Sequence, residues 1–306
     1  MSGLHHSVAT AFGVSHVIRE KGYYKTVDGK RVIRKTKDAC EQILARYEII
    51  ERCIQAGYPW VERFYMSQSG KPYVAADGGL YVMTDLIRCP DANFSELAEC
   101  LKAVRAIARW HSCARGAGLT LPLYKGRPPI PLIEEYRTQS EAIASILKRV
   151  RKQSKWSDFD VMFLKSCPDY GERIQQALQL MEGTSYLKRF NKAKQAGHIC
   201  HGGLKEACLR ICGEHVFITK FDHIAVDYQL NDLCSLVRRG QNAGLEHEKI
   251  LEAYNQIIPL DEEEEVILEA MLLYPNAFVK LVTEYYQKRR SWTPIAMANK
   301  MREILA

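Results

Sequence analysis

The sequence lacks the features that mark a secreted or membrane-spanning protein. Its first residues do not combine a basic segment with a long apolar core, and no apolar run approaches the roughly 18 residues of a membrane span. It also lacks the zinc-finger spacing, the RNP sequence and the dense basic arm of nucleic-acid-binding proteins. We therefore expect a chain that is made in the cytoplasm and binds neither a membrane nor a nucleic acid.

Two chemical motifs are missing as well. No GxGxxG occurs near the first predicted strands, where residues 14–25 contain one glycine, Gly22. Without several glycines the backbone cannot easily close on phosphates. Paired CxxC spacing is absent from the group Cys200, His201, Cys208, Cys212 and His215. We therefore predict no metal site there, and free thiols in a reducing compartment for a chain with ten scattered cysteines.

Composition and length are those of an ordinary folded protein. The chain has 306 residues, of which 47% are hydrophobic and 26% charged, and this length suits two lobes better than one simple core. The net charge of +7 favours anionic partners without identifying one.

The first third of the chain has the pattern of a small β-rich lobe. Tyr23–Lys35 predicts a hairpin that turns at Asp28 and Gly29. A helix is predicted over 38–56, with Asp38 as its N-cap and Glu41 in capping-box spacing. Its apolar stripe comprises Ile43, Tyr47, Ile50 and Ile54. Further strands are predicted over 61–66, 72–75 and 80–87.

From Ser95 onward, period-3.6 patterning predicts a mostly helical region. Helices are predicted near 97–111, 133–151, 173–189, 250–255 and 263–287, the last broken at Pro275. One hairpin is predicted, from 209–211 to 216–219. The chain is thus predicted to have an α+β, bilobal fold, with a small β-rich lobe of one helix over 1–88 and a helical lobe over 89–306.

The segment 198–222, HICHGGLKEACLRICGEHVFITKFD, resembles the catalytic and metal loops of aminoglycoside- and choline-phosphotransferase-like kinases. Those loops read HGDxxxxN and end in DFD or DFG. Further blocks, ARWHSCARG, LNDLCSLVRRG and LLYPNAFVKLVTEYYQKRRSW, resemble the CotS-type spore coat proteins of endospore-forming bacteria. The resemblance covers nearly the whole chain and implies the protein-kinase-like fold.

The resemblance also implies that the catalytic groups have been lost. Gly203 stands at the position of the proton-accepting Asp, while Cys208 and Lys220 stand at the two magnesium-ligand positions. His201 and Asp222 remain. The ammonium group of Lys220 either binds an anion without metal or, in the favoured interpretation, pairs with an acid and closes the cleft. Glu206 is a weak candidate for a substitute base.

Three further roles follow from the resemblance. Asp232 is expected to brace the loop backbone. The phosphate-binding cation of the third strand is expected to be Arg34 or Lys35, only one of which can face the cleft because neighbouring strand residues face opposite ways. Its partner on the following helix would be Glu48 or Glu51, or else Glu41, and the sequence does not choose among them.

We therefore interpret the chain as a pseudokinase that works as a spore coat component or scaffold, binds other coat proteins and needs no cofactor. The alternative is a small-molecule phosphotransferase that uses ATP and magnesium at a non-standard site. Tyr285–Trp292, a basic and aromatic block, is a candidate contact surface, although a helix that buries its tyrosines in the core fits the same pattern.

Overall fold

The computed structural model describes residues 2–14, 19–20, 23–26, 29–115, 130–287 and 294–305. By packing, the chain divides into two compact units. The first comprises Met1–Pro129 and Asn191–Pro259, and the second comprises Ile130–Phe190 and Leu260–Ala306. The predicted boundary between the two lobes at residue 88 rests on the change in hydrophobic periodicity along the sequence, and it stays a prediction.

The described elements follow in chain order. The helices are α1 Ser2–Ala11, α2 Cys40–Gln55, α3 Leu97–Ala114, α4 Leu132–Val150, α5 Asp158–Glu182, α6 Tyr186–Gln195, α7 Leu230–Asn242, α8 His247–Asn255, α9 Glu262–Leu273, α10 Asn276–Tyr286 and α11 Pro294–Leu305. The strands are β1 Arg19–Glu20, β2 Tyr23–Thr26, β3 Gly29–Thr36, β4 Val74–Ala76, β5 Gly79–Asp85, β6 Ile199–Cys200, β7 Leu209–Cys212, β8 His215–Ile218 and β9 Ala225–Val226.

Five of the described strands form one antiparallel sheet in the order β1-β2-β3-β5-β4. The hairpin of β2 and β3 was predicted, although residues 27–28 of its turn lie outside the described residues. The predicted strand over 61–66 contributes only isolated bridges, at Val61 and Phe64. Helix α1, which the sequence did not predict, packs on this sheet in a core that includes Val8 and Phe12.

Strand alternation decides which residues of β3 face the site. Ile33 lies in the core with α1, beside Tyr81 and Met83 of β5. Because successive side chains point to opposite faces, Arg34 lies on the other face. That face carries the contacts with the catalytic-loop region described below.

Helix α2 begins one residue later than predicted, because its N-cap is not Asp38. Ala39 is the N-cap, and its N–H donates to the Gln42 side chain (3.2 Å). Asp38 makes an ion pair with buried Arg46 and accepts a hydrogen bond from the Thr36 hydroxyl (2.6 Å). The carboxylate of Asp38 therefore serves the interior of the first unit instead of the helix terminus.

The second unit is helical and has an aromatic core. Tyr285 stacks on Phe159 with ring centroids 3.9 Å apart, and the Tyr286 hydroxyl donates to Asp160 (2.6 Å). These two tyrosines are half-buried, and residues 288–292 of the candidate contact block lie outside the described residues. The helix predicted over 173–189 is two helices, α5 and α6, which are separated at 183–185.

The break predicted at Pro275 is present, and it separates α9 from α10. Among the described helices, no single one is long and apolar enough to cross a membrane. By length and composition alone, α9 and α10 pass that test as a pair, which is bent by 43°.

Two cysteines are joined, which corrects the expectation of free thiols throughout the chain. Cys89 and Cys212 form a disulfide, with their Cα atoms 5.4 Å apart. The bond connects the segment after β5 to the end of β7. In the same place, Ala92 N donates to Leu209 O (2.8 Å) and Ile211 N donates to Pro90 O (2.9 Å).

Candidate functional site

The frame of the loop after β6 is held by one buried carboxylate on α7. Asp232 accepts hydrogen bonds from the backbone N–H groups of His201 (2.6 Å) and Gly202 (3.0 Å), and its carboxylate lies 3.1 Å from Nε2 of His111. Burial acts to raise the pKa of Asp232. The hydrogen bond and charge interaction with His111 and the hydrogen bond from the His201 backbone outweigh burial and bring that pKa below its ordinary value. The ionised carboxylate therefore fixes the backbone of the loop, as the resemblance implied.

His201 packs beneath the loop with its side chain buried. It is fully buried, and its Nε2 lies 2.9 Å from the carbonyl oxygen of Thr219. Burial is the main cause that lowers the pKa of His201, so the neutral imidazole is favoured. Its ring contacts those of Trp110 and Phe221, with centroids 6.4 and 5.4 Å away.

The His223 side chain lies against position 203, which in active relatives carries the proton acceptor. Gly202 has φ of +73°, and a Cβ placed there would overlap the carbonyl oxygen of His223. A Cβ at Gly203 would lie 2.8 Å from Cδ2 of the His223 ring. The imidazole therefore occupies space beside position 203, and Gly203 itself offers no acceptor side chain.

Cys208 lies next to Gly203, but its chemistry is that of a buried thiol. Its Sγ donates to the carbonyl oxygen of Gly203 (3.6 Å), and the residue is 3% exposed. Burial raises the pKa of Cys208 above its ordinary value. A backbone hydrogen bond from Lys205 and the positive charges of Lys220, Lys205 and Arg239 act in the opposite direction, but burial outweighs them. A protonated thiol is a poor ligand for magnesium, which prefers oxygen.

Lys220 is held by its backbone and not by its ammonium group. It adopts a left-handed conformation (φ 61°, ψ 55°), and its N–H donates to Glu62 Oε2 (3.0 Å). The side chain is exposed, and within the described part of the chain its ammonium group has no acidic partner. The favoured interpretation, in which that group pairs with an acid, does not match this geometry.

The cation of β3 that faces the loop is Arg34, and its partner is Glu62. The guanidinium of Arg34 pairs with the Glu62 carboxylate and donates to the Thr84 hydroxyl (2.8 Å). Burial lowers the pKa of Arg34, while the charge of Asp222 acts in the opposite direction. Lys35 points to the other face, with Nζ 5.9 Å from the centroid of the Tyr81 ring.

Glu62 was not anticipated from the sequence. Its carboxylate is 9% exposed and also accepts from the Thr84 hydroxyl (2.8 Å). Its own N–H donates to Ile218 O (2.9 Å), which places 60–62 alongside β8. Glu62 thus ties β3, β5 and the backbone of Lys220 together.

None of the three helix acids considered as partners of the strand cation binds it. Glu51 accepts two hydrogen bonds from Arg63, both of 2.8 Å. The side chain that α2 directs toward the loop is Arg46, whose Nη1 lies 3.4 Å from Oδ1 of Asp222. Glu41 is exposed and Glu48 is half-buried. The sequence did contain one indication that Arg46 faces inward. Arg46 lies three residues after Ile43 and four before Ile50, on the apolar face of the predicted helix.

Glu206, the candidate substitute base, is bound by an arginine. Arg239 Nη1 donates to both carboxylate oxygens of Glu206 (2.8 and 3.0 Å), and Arg239 Nε donates to Leu204 O (3.2 Å). Burial acts to raise the pKa of Glu206, but hydrogen bonds from its backbone and from Arg239 lower it overall. A carboxylate with a lowered pKa is a weaker proton acceptor.

Three acids beside the loop are therefore each engaged by an arginine: Glu62 by Arg34, Asp222 by Arg46 and Glu206 by Arg239. Across the described residues, no group of three or more His, Cys, Asp or Glu side chains is placed to hold a metal ion. The residues at positions 208 and 220 do not fit magnesium, which needs hard oxygen ligands.

Comparison with known proteins agrees with this frame. Residues 14–306 match the family described as "Spore coat putative kinase YutH". The chain belongs to that family, whose relatives include the CotS-type proteins that the sequence resembles. No curated protein matches the chain.

Solved structures of phosphotransferases share the fold. An aminoglycoside phosphotransferase from Alicyclobacillus acidocaldarius aligns with a TM-score of 0.83 at 13% identity, over 98% of this chain and 90% of the other. A spectinomycin phosphotransferase, APH(9)-Ia, with ADP and spectinomycin, aligns at 0.59 and 11% identity, over 94% and 88%. Amicoumacin kinase hAmiN aligns at 0.57 and 15%, over 94% and 87%. The predicted α+β, kinase-like fold is confirmed.

Proposed function

We propose that this member of the spore coat kinase-like family is a catalytically degenerate protein that works in the spore coat by binding other coat proteins. Phosphoryl transfer depends on positioning the nucleophile and neutralising phosphate charge. Here Gly203 cannot accept a proton, and Cys208 and Lys220 replace both metal ligands. The observation that supports the proposal most is that arginines bind Glu62, Asp222 and Glu206, three acids beside the loop.

A binding role also explains why the frame persists. Asp232 still fixes the loop backbone, and Glu62 and Arg46 supply contacts that hold the loop against the sheet and α2. These interactions stabilise a defined surface whether or not phosphate is transferred. The spore coat in the family's description supports a place in the coat for a chain that is made in the cytoplasm.

An ATP-dependent phosphotransferase remains the second candidate, and one observation favours it. The His223 imidazole lies beside Gly203, where active relatives carry their proton acceptor. A histidine in that place is able to act as a general base. What the candidate lacks are oxygen ligands at positions 208 and 220 themselves, where the chain has Cys208 and Lys220.

Coat composition tests the proposal. In a spore-forming host that lacks this chain, the wild-type chain and a Glu206→Gln, Asp222→Asn double variant would each be restored. We expect both to recover the same coat proteins, because the proposed binding role needs neither a proton acceptor nor a magnesium ligand. Recovery by the wild type alone, with the variant present at an equal level, would favour an enzyme.

A further inference from the structure

One end of the second unit carries a dense group of positive charges. The last turn of α4 and the loop before α5 form this group, which we call the basic patch. It consists of five exposed cations and one exposed tryptophan: Lys148, Arg149, Arg151, Lys152, Lys155 and Trp156. Across the described residues, no acid forms an ion pair with any of the five cations. The next acid along the chain, Asp158, is itself paired with Arg302 (3.7 Å).

The tryptophan of the basic patch is exposed but held in place. Its Nε1–H donates to Val150 O (3.1 Å) at the end of α4, and the residue is 53% exposed. An indole whose orientation is already fixed offers apolar contact area at a low entropy cost. Tryptophan and arginine are also the residues that dominate the energetics of protein interfaces. The basic patch therefore suits a protein partner that is anionic and has some apolar surface.

Helix α9 of the same unit carries the complementary charge. It starts at a run of five consecutive acids, Asp261–Glu265, which we call the acidic patch. The N-terminal end of the helix and Arg189, which pairs with Asp261 and Glu263 (2.8 Å each), neutralise part of this charge. Glu262 and Glu265 are exposed and three residues apart, and neither has an ion-paired partner within the part of the chain that the structure describes. Negative charge is therefore left over at this patch.

Helix packing places the two patches at opposite ends of α5. The basic patch leads directly into α5, which begins after its N-cap, Ser157. Near the other end, Glu182 of α5 pairs with Arg137 (2.6 Å), and Arg189, seven residues further on, binds the acidic patch. The 25 residues of α5 correspond to about 37 Å of helix, which is several Debye lengths at physiological salt. The two patches of one copy therefore do not neutralise each other.

The acidic patch also has an exposed apolar residue beside it. Leu187 is 41% exposed and lies between Ser185 and Arg189, both of which donate hydrogen bonds to Glu263. Leu187 is thus an apolar counterpart for Trp156. Each patch combines charge with one large apolar side chain, and the two charges are of opposite sign.

We propose that the basic patch of one copy of this chain binds the acidic patch of a second copy. Two different surfaces meet in such a contact, so each copy keeps one patch for the next copy. Repetition of the contact builds an assembly of many copies, which suits a protein that works in a coat. This inference goes beyond the proposed function and stands whether or not the chain transfers phosphate, because neither patch uses a residue of the loop.

Sedimentation velocity of the full chain, at protein concentrations up to about 100 µM, tests the proposal. We expect the mean mass to rise with concentration at low salt. The rise should be lost at about 0.5 M salt, because screening acts strongly on contacts between exposed charges. Two double variants reverse one patch each: Arg151→Glu with Lys152→Glu, and Glu262→Lys with Glu265→Lys. Each should weaken self-association about tenfold or more.

A mixture of the two double variants separates a lost contact from a lost fold. The first variant keeps an intact acidic patch, and the second keeps an intact basic patch. Neither should associate with itself, but the two should associate with each other at low salt. Recovery of association in the mixture requires both variants to be folded and requires the two patches to meet.

Lys37→Glu with Lys165→Glu is the matched control, because it changes the net charge equally and both lysines are exposed and belong to neither patch. It should associate as the wild type does. The proposal is overturned if the wild type stays monomeric at low salt, if the control associates as weakly as the patch variants, or if their mixture stays monomeric. Cosedimentation of a monomeric wild type with vesicles that contain phosphatidylglycerol would instead assign the basic patch to an anionic lipid surface.

Discussion

Glu62 is the residue whose removal should disturb the site most, and Glu62→Gln tests this. The carboxylate is 9% exposed and accepts hydrogen bonds from Arg34, from the Thr84 hydroxyl and from the Lys220 N–H. Glutamine keeps the volume but loses the charge, and its amide NH₂ would face one of these donors. Hydrogen bonds to charged groups contribute about 1.5–3 kcal/mol each in favourable cases.

The sum of those contributions must be discounted. The Arg34 side chain is 47% exposed, so water recovers part of what that pair loses. We therefore expect Glu62→Gln to lower the free energy of unfolding by about 2 kcal/mol. Urea denaturation followed by circular dichroism and by tryptophan fluorescence measures this, and coincident curves would show that the two compact units unfold together.

A helix acid supplies the matched control. Glu48→Gln should change the free energy of unfolding by less than about 0.5 kcal/mol. Hydrogen exchange adds a local measurement, because the Lys220 N–H should exchange faster in Glu62→Gln than in the wild type. Equal stability of the two variants, with unchanged exchange at Lys220, would refute the assignment of Glu62 as the tie between the sheet and the loop.

Three further predictions concern the same unit. Reduction of Cys89–Cys212, which are 123 positions apart, should lower the melting temperature by an amount that corresponds to about 2–5 kcal/mol, and the double Ser variant should not respond to reductant. Burial is the main cause that raises the pKa of Asp227 to about 6, so the folded chain holds a proton from about pH 4 to 6 that the unfolded chain releases. Stability from this group therefore falls as the pH rises through that window, and Asp227→Asn should remove the fall in urea titrations. The amide of Asn replaces one of the two acceptors that bind Tyr228 N–H and Asn231, so the variant is compared with the wild type by the slope of stability against pH and not by its stability at one pH. Gly202→Ala should cost more than Gly244→Ala in thermal unfolding, since both glycines have positive φ but only the Cβ at Gly202 would meet the backbone; equal losses would show that the contact with His223 is unimportant.

Local patterning predicted those features that depend on residues near one another in the chain. The alternation along β3 limited the inward-facing cation to one of Arg34 and Lys35, and the hairpin of β7 and β8 followed from its turn. The predicted start of α2 was one residue early because Asp38 forms an ion pair with Arg46, about two turns along the same helix, and this pairing overrides the capping preference.

The features that could not be predicted depend on pairings between distant segments. Glu62 faces the loop because 60–62 lies beside β8, more than 150 residues later in the chain, and no local pattern encodes that register. The same holds for the disulfide of Cys89 with Cys212. The sequence showed that catalytic groups are missing from the loop. It did not show that arginines bind Glu62, Asp222 and Glu206.

The most direct test of the account is ATP consumption by the purified chain with magnesium, against a panel of hydroxyl and amine substrates. The account predicts no turnover above background in the wild type or in Glu206→Ala and His223→Gln. Clear turnover in the wild type would contradict it. Loss of that turnover in one variant would identify the group that replaced the missing acid as the base.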